Sequence, residues 1–252
     1  MGGDPMVRPR ELSGERKMQL IDLATISKKH FHFFVEKCNQ TYRSGHALAY
    51  YRDLIAMHRQ SRSLETLIDN DQFLIITYRT LEEWDMNKRR AKLAPFQDFK
   101  KSVITYKEQL LKLYTYKLYD DIYDDLSTIK PISEIIFSNL NVMLSNRKIV
   151  GVSKALHFLL PDLIMPIDSK YTMMAFYGYN KYSNSTKKEF ETFWDIISST
   201  YDIAGRLKLS PHDADGVLWK QSIPKLIDNA IIGMWNSDKE EILSLCDSEP
   251  SR

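Results

Sequence analysis

Apolar positions recur along this chain at helical spacing. Leu48, Tyr51, Leu54, Ile55 and His58 fall on one face, the stripe that a 3.6-residue period turns toward a core. Ile132, Ile135, Ile136, Leu140 and Met143 repeat the pattern behind Pro131, which suits a first helical turn because the N–H it lacks is unpaired there anyway. Val103, Tyr106, Leu110, Leu113 and Tyr114 mark another helix after Pro95. The clearest stripe is Phe190, Phe193, Trp194, Ile197, Tyr201 and Ala204, opened by Thr186-x-x-Glu189, which reads as a capping box. Leu226, Ile227, Ala230, Ile231 and Met234 predict a last long helix, with a short one expected around residues 240–245. Phe73 to Thr77 and Ile149 to Val152 are β-branched enough for strands. Each runs on into a helix-like stretch, YRTLEEW and SKALHFLL, so the expected fold class is all-α. Residues 178–185, polar with glycine and asparagine, predict a loop.

No long-period repeat or linker interrupts the pattern. Residues 1–14 predict a flexible lead, 15–235 a single helical domain and 236–252 a tail. With 252 residues, 43% of them hydrophobic, the chain can bury a sizeable core. Its formal charge of +2 means that any nucleic-acid affinity must come from a local patch. Cys38 and Cys246 form no CxxC pair, zinc spacing or iron–sulfur set. The simplest expectation is a reduced intracellular setting, cytoplasmic or nucleoid-associated, although two cysteines also permit a pair. No apolar run reaches the length of a membrane span, so no membrane partner is expected. The start MGGDPM lacks the apolar core of a signal peptide and has Met6 where a myristoylation motif needs Ser or Thr. The acidic run Tyr119 to Asp125 lacks the glycine and twelfth-position glutamate of a calcium loop and reads as a solvated helix end or turn. His30-x-His32 cannot share a helix face, so zinc is not expected.

The densest candidate chemistry lies in NRKIVGVSKALHFLLPDLIMPIDSKY, residues 146–171. Lys148, Lys154 and Asp168 stand there among apolar residues. Ser145-Asn146-Arg147 makes a polar break between a helix expected to end near Leu144 and one expected to start near Lys148. Such a break can aim unpaired N–H groups and a positive dipole end at a phosphate. Twenty positions separate Lys148 from Asp168, room for one short helix and a return through Pro161 and Pro166. The plainer reading is a buried helix and turn, with Lys154 snorkelling to water.

This order of hairpin, lysine, helix and aspartate resembles the helix–hairpin–helix DNA glycosylase superfamily, and within it the archaeal 8-oxoguanine DNA glycosylases. LEEWDM (81–86) and PHDADGVLW (211–219) resemble two further segments of those enzymes. Their glycine-rich hairpin is replaced by Ser145-Asn146, with Gly151 displaced into the next helix; asparagine tolerates a left-handed turn. The iron–sulfur cluster of some relatives has no ligands here. The resemblance implies two helical lobes with a cleft, and a monomer acting on double-stranded DNA with a flipped base and no cofactor or metal. It implies a DNA N-glycosylase, with or without abasic-site lyase activity, that excises an oxidised or otherwise modified base, 8-oxoguanine first. It implies Lys148 as Schiff-base nucleophile and Asp168 as the electrostatic and acid–base group. Lys154, Asp215, Trp219 and Trp84 would shape the base pocket, and Ser145, Asn146 and Arg147 would contact DNA; independently of the resemblance, Arg89 and Arg90 in the basic run Asn87 to Leu93 could grip phosphates. These residue types suit the chemistry: a carboxylate stabilises charge building on the sugar, and a neutral amine can attack the same carbon. Taken singly, Asp215 is equally an N-terminal helix residue, each tryptophan a core residue, and the basic run Asn87 to Leu93 a solvated turn. Two other functions stay open: a glycosylase for a different modified base in foreign DNA, and a non-catalytic helical DNA-binding or protein-interaction module.

Overall fold

The structure, a computed structural model, describes residues 9–42, 45–87, 92–121 and 124–238. Among them the chain is all-helical and forms no strand; one isolated antiparallel bridge joins Leu93 to Met143. The helices are α1 (Pro9–Ala24), α2 (Lys28–Thr41), α3 (His46–Gln60), α4 (Leu64–Ile68), α5 (Asp71–Leu81), α6 (Phe96–Thr105), α7 (Lys107–Tyr114), α8 (Leu126–Asn139), α9 (Ile149–Leu159), α10 (Thr172–Tyr177), α11 (Thr186–Leu207) and α12 (Ile223–Asn236). A π-helical turn, Glu82–Met86, continues α5. The β-branched stretches at 73–77 and 149–152 are therefore helical, as parts of α5 and α9. No helix among the described residues is long and apolar enough to cross a membrane.

The core is built around α9. Every one of its residues except Val150 is buried, as a helix that is apolar nearly all round must be. It packs on α5 and α11, which in turn pack on α3 and on α8. On the other side α2 lies along α12, and α1 along α10 and α11. Glycine makes the α2–α12 crossing possible: a Cβ on Gly233 would stand 1.9 Å from the Phe34 carbonyl oxygen.

Several expected boundaries move, each for a physical reason. The stripe of α3 is buried as expected, Leu48, Tyr51, Leu54, Ile55 and His58 alike. In α11 the cap is Ser185, whose hydroxyl accepts the Lys188 N–H, so the box expected from Thr186 does not form. Its partner Glu189, fully buried, reaches instead to the N–H groups of Lys148 and Ile149 at 2.5 and 3.1 Å. Pro131 lies inside α8, which begins at Leu126. Pro131 and Ser127, whose carbonyl loses its helical partner to that proline, are both exposed, so water can replace the missing donor. α8 ends at Asn139, before the expected Leu144, and Ile135 faces solvent. The stripe after Pro95 splits at Tyr106 into α6 and α7. α1 begins at Pro9, inside the segment expected as a flexible lead. The short helix expected at 240–245 lies outside the described residues.

Candidate functional site

After α9 the chain turns at Pro161 and comes back along the helix it has just left. Two ties hold this return. His157 Nδ1 donates to the Ile164 carbonyl (2.7 Å), which fixes the tautomer and lets Nε2 accept from the Tyr51 hydroxyl (2.8 Å). Ser153 Oγ accepts the Ile167 N–H at 3.0 Å and donates to the Val150 carbonyl. Asp168 is thus carried to the level of Lys154. Its Oδ1 accepts the N–H groups of Lys170 (2.7 Å) and Tyr171 (3.3 Å), while its own N–H donates to Thr172 Oγ1 (3.0 Å). Its Oδ2 faces Lys154 Nζ at 3.8 Å.

Lys154 is 8% exposed, on a helix otherwise given over to the core. Its ammonium donates to the Trp84 carbonyl (3.3 Å) and lies 5.6 Å from the Trp84 ring. Burial pushes its pKa below the ordinary lysine value, against the opposing pull of Asp168 and then Asp228. Trp84 and Asp85 leave helical geometry inside the π-helical turn, Asp85 with φ of 65°. That turn brings Trp84 against Phe158, ring centroids 4.8 Å apart.

Two spaces meet at this pair. A cavity of about 230 Å³ lies among α2, the π-helical turn, the 166–171 segment and α12, with Trp84 and Trp219 in its wall. A wider groove of about 890 Å³ runs past Ser145, Asn146, Arg147, Lys170 and Tyr182. Tyr42, Trp84, Asp85, Lys154, Asp168 and Tyr171 line both. At the join the Tyr42 and Tyr171 hydroxyls are hydrogen-bonded to each other, and Trp219 Nε1 donates to the Tyr42 carbonyl (2.6 Å). Trp219 stacks on buried Tyr51 at 5.9 Å. The guanidinium of Arg147 lies 5.4 Å from the Tyr182 ring on the groove.

The structure brings Lys154, Asp168, Trp84 and Trp219 together, and leaves two expected partners elsewhere. Lys148 does not face Asp168. Its Nζ donates to the Ser138 carbonyl (2.9 Å) at the end of α8, and it lines neither space. Six residues along a helix turn a side chain by about 120°, so Lys148 and Lys154 cannot both look into the cavity. At the α9 start Glu189 takes the Lys148 and Ile149 N–H groups, so these two are not available to a phosphate. Asp215 lies outside both spaces, paired with Lys220 (2.7 Å) and accepting the Val217 N–H; the pair pulls its pKa down. Its stretch is an irregular turn with Gly216 and Leu218 at positive φ, so Asp215 and Trp219, four positions apart, do not share a helix face. Ser145, Asn146 and Arg147 line the groove; Arg89 and Arg90 lie outside the described residues.

Sequence reasoning missed Tyr42, Tyr171, Lys225 and Asp228. The first two carry no local signature. The last pair does: Lys225 and Asp228 are two charges one turn apart inside the apolar run IPKLIDNAIIGM, and buried charges are rarely tolerated unless paired. They pair at 2.5 Å, and burial raises the Asp228 pKa against the pull of Lys225. Among the described residues no cluster of His, Cys, Asp and Glu could hold a metal ion. Comparison with protein-family models, with curated proteins and with solved structures gives no match to this chain.

Proposed function

We propose that this chain is a DNA N-glycosylase with abasic-site lyase chemistry, that Lys154 is its nucleophile, and that an oxidised guanine is its first candidate substrate. One observation carries the reading. A buried lysine with a lowered pKa faces a held carboxylate where an aromatic-walled cavity opens on a groove bearing Arg147 and Lys170. The cavity suits a single extruded base, and the groove the strand it leaves. The same reading takes α8, the 140–148 turn and α9 as the helix–hairpin–helix unit, and the groove as the boundary between two lobes.

In this mechanism the neutral Lys154 amine attacks the anomeric carbon as the bond to the base breaks. Asp168 Oδ2 stabilises the positive charge on the sugar and takes the proton that the attacking nitrogen sheds. The proton then passes to the departing base; the nitrogen lone pair next breaks the C1′–O4′ bond, and the second proton of the nitrogen passes to the ring oxygen, which opens the sugar to a Schiff base with Lys154. Asp168, again a carboxylate, takes a proton from C2′ of that Schiff base, the C2′–C3′ double bond forms and the 3′ phosphate leaves, which cleaves the strand. Lys148 has no part in these steps.

Borohydride trapping on duplexes with 8-oxoguanine or an abasic site tests this. The adduct is expected with wild type and with Lys148→Ala, and absent with Lys154→Gln. An undiminished adduct in Lys154→Gln rejects the assignment. Absence of any adduct in wild type removes the lyase chemistry.

A further inference from the structure

At the end of the cavity that the groove does not reach, α12 presents an ammonium and a carboxylate one turn apart. Lys225 and Asp228 line the cavity, do not line the groove, and are 5% and 4% exposed. Lys225 Nζ stands 5.3 Å from the Trp84 ring and 5.1 Å from the Trp219 ring. Those rings, 5.8 Å apart and inclined at 70°, line the same cavity as the pair. A buried ion pair is a poor source of stability compared with apolar residues of the same size. This pair also has bonding capacity left over. One carboxylate oxygen occupies one of three ammonium donors, and a carboxylate has about four acceptor sites.

Resting on the glycosylase reading, we infer that Lys225 and Asp228 read the Watson–Crick edge of the extruded base and select a guanine-type ring. Lys225 donates to the ring carbonyl, and Asp228 accepts from the neighbouring ring N–H and exocyclic amine. Only guanine offers one acceptor followed by two donors. Adenine sets a ring-nitrogen lone pair toward the carboxylate or an amine toward the ammonium. Uracil and thymine set a second carbonyl against Asp228, and cytosine offers a single donor. A site built to bond a given N–H rejects analogues that lack it, because its own buried groups are then unpaired. Oxidation at C8 leaves the guanine edge unchanged, so this pair reads the ring and not the lesion.

Excision is compared on duplexes carrying 8-oxoguanine, 8-oxohypoxanthine (no exocyclic amine) and 8-oxoadenine, alongside adduct formation on abasic DNA, where there is no base to read. Wild type is expected to release 8-oxoguanine at least about tenfold faster than the other two, the worth of one charge-assisted hydrogen bond. Asp228→Asn, close in shape, is expected to lose 8-oxoguanine excision at least about tenfold more than it loses the abasic adduct. The double variant Lys225→Met with Asp228→Leu removes both charges together and leaves neither ion unpaired; the same inequality is expected of it. Equal wild-type rates on the three bases overturn the assignment without any variant having to fold. So does an Asp228→Asn protein that keeps the full preference. A wild type that releases none of the three bases and forms no abasic adduct fails the glycosylase reading separately. The pocket is then tested by quenching of tryptophan fluorescence with free guanosine and adenosine. Guanosine binding at least about tenfold tighter supports the assignment, and equal or absent binding overturns it.

Discussion

At the residue scale the decisive fact is which of two lysines meets the carboxylate. The stretch 146–171 carries both, together with the aspartate, and the twenty-residue interval points to Lys148, which the structure turns away from Asp168. What settles it is rotation about α9 and a short return held by Ser153 and His157, neither of which has a signature in a local window. Lys148 instead donates to a carbonyl at the end of α8, where a cation suits the negative dipole end. The electrostatics of Lys154 make a signed prediction. Burial lowers its pKa and Asp168 is the first of the groups that raise it. In the proposed lyase chemistry adduct formation on abasic DNA requires the neutral amine, so its rate should climb with pH and level off below the ordinary lysine value of 10.5. Asp168→Asn removes the raising charge, so the midpoint should move to lower pH even as the maximal rate falls. A midpoint that moves upward, or stays in place, contradicts the assigned pairing.

At the scale of elements, the helical period found α3, α9, α11 and α12 because each turns one coherent apolar face, or nearly its whole surface, to the core. It failed at ends, where side chains from distant segments compete for the free backbone groups. Glu189 shows this: three residues into α11 it fits a local capping box, yet it serves the start of α9. α1 escaped notice because its apolar spacing is weak, and α4 and α10 because they are too short for a window to register; α2 buries Phe31, Phe34, Val35 and Cys38 on one face, but His30 and Asn39 share that face and break the apolar run. Glycine inside a helix likewise has no visible reason until its neighbour is known. A methyl on Gly233 meets backbone, the Phe34 carbonyl at 1.9 Å, whereas one on Gly151 meets the side chain of Met143 at 2.3 Å. A methionine side chain can rotate away; a carbonyl in a helix cannot. Gly233→Ala should therefore cost about 1–3 kcal/mol or more in chemical denaturation, and clearly more than Gly151→Ala. Equal losses from the two would show that α2 and α12 separate without resistance.

At the scale of the whole molecule, the cavity gathers side chains from α2, the π-helical turn, α9, the return segment, the 219 turn and α12. No pattern along the chain predicts such a gathering, and the all-α class alone does not locate it. The same packing buries two histidines of the core, His157 and His58, in neutral form. His157 lies between Tyr51 and the Ile164 carbonyl, with its pKa pushed down to about 3 by burial. His58 donates to the Phe158 carbonyl, pushed down to about 4 for the same reason. Unfolded, both would titrate near 6.5. Between those values the unfolded chain binds protons that the folded chain refuses, so stability must rise with pH through that window. Their contribution is complete above about pH 6.5 and drains away as pH falls toward 4 and then 3. At pH 5 each histidine should have withdrawn about 2 kcal/mol, about 4 kcal/mol together, against a typical total of about 5–15. Asp213 and Asp215, whose pKa values lie below the ordinary 3.8, add a loss of the same sign only in stronger acid. Thermal melts from pH 8 to 5 should show a plateau down to about 7 and a steep fall below it. Replacing His157 with Gln, which cannot take up a proton when unfolded, should lower the plateau and flatten the fall. A wild-type melting temperature that is level from pH 7 to 5 would mean that these rings are already solvated in the folded protein, and that the floor beneath Tyr51 and Trp219 is wetter than the packing here requires.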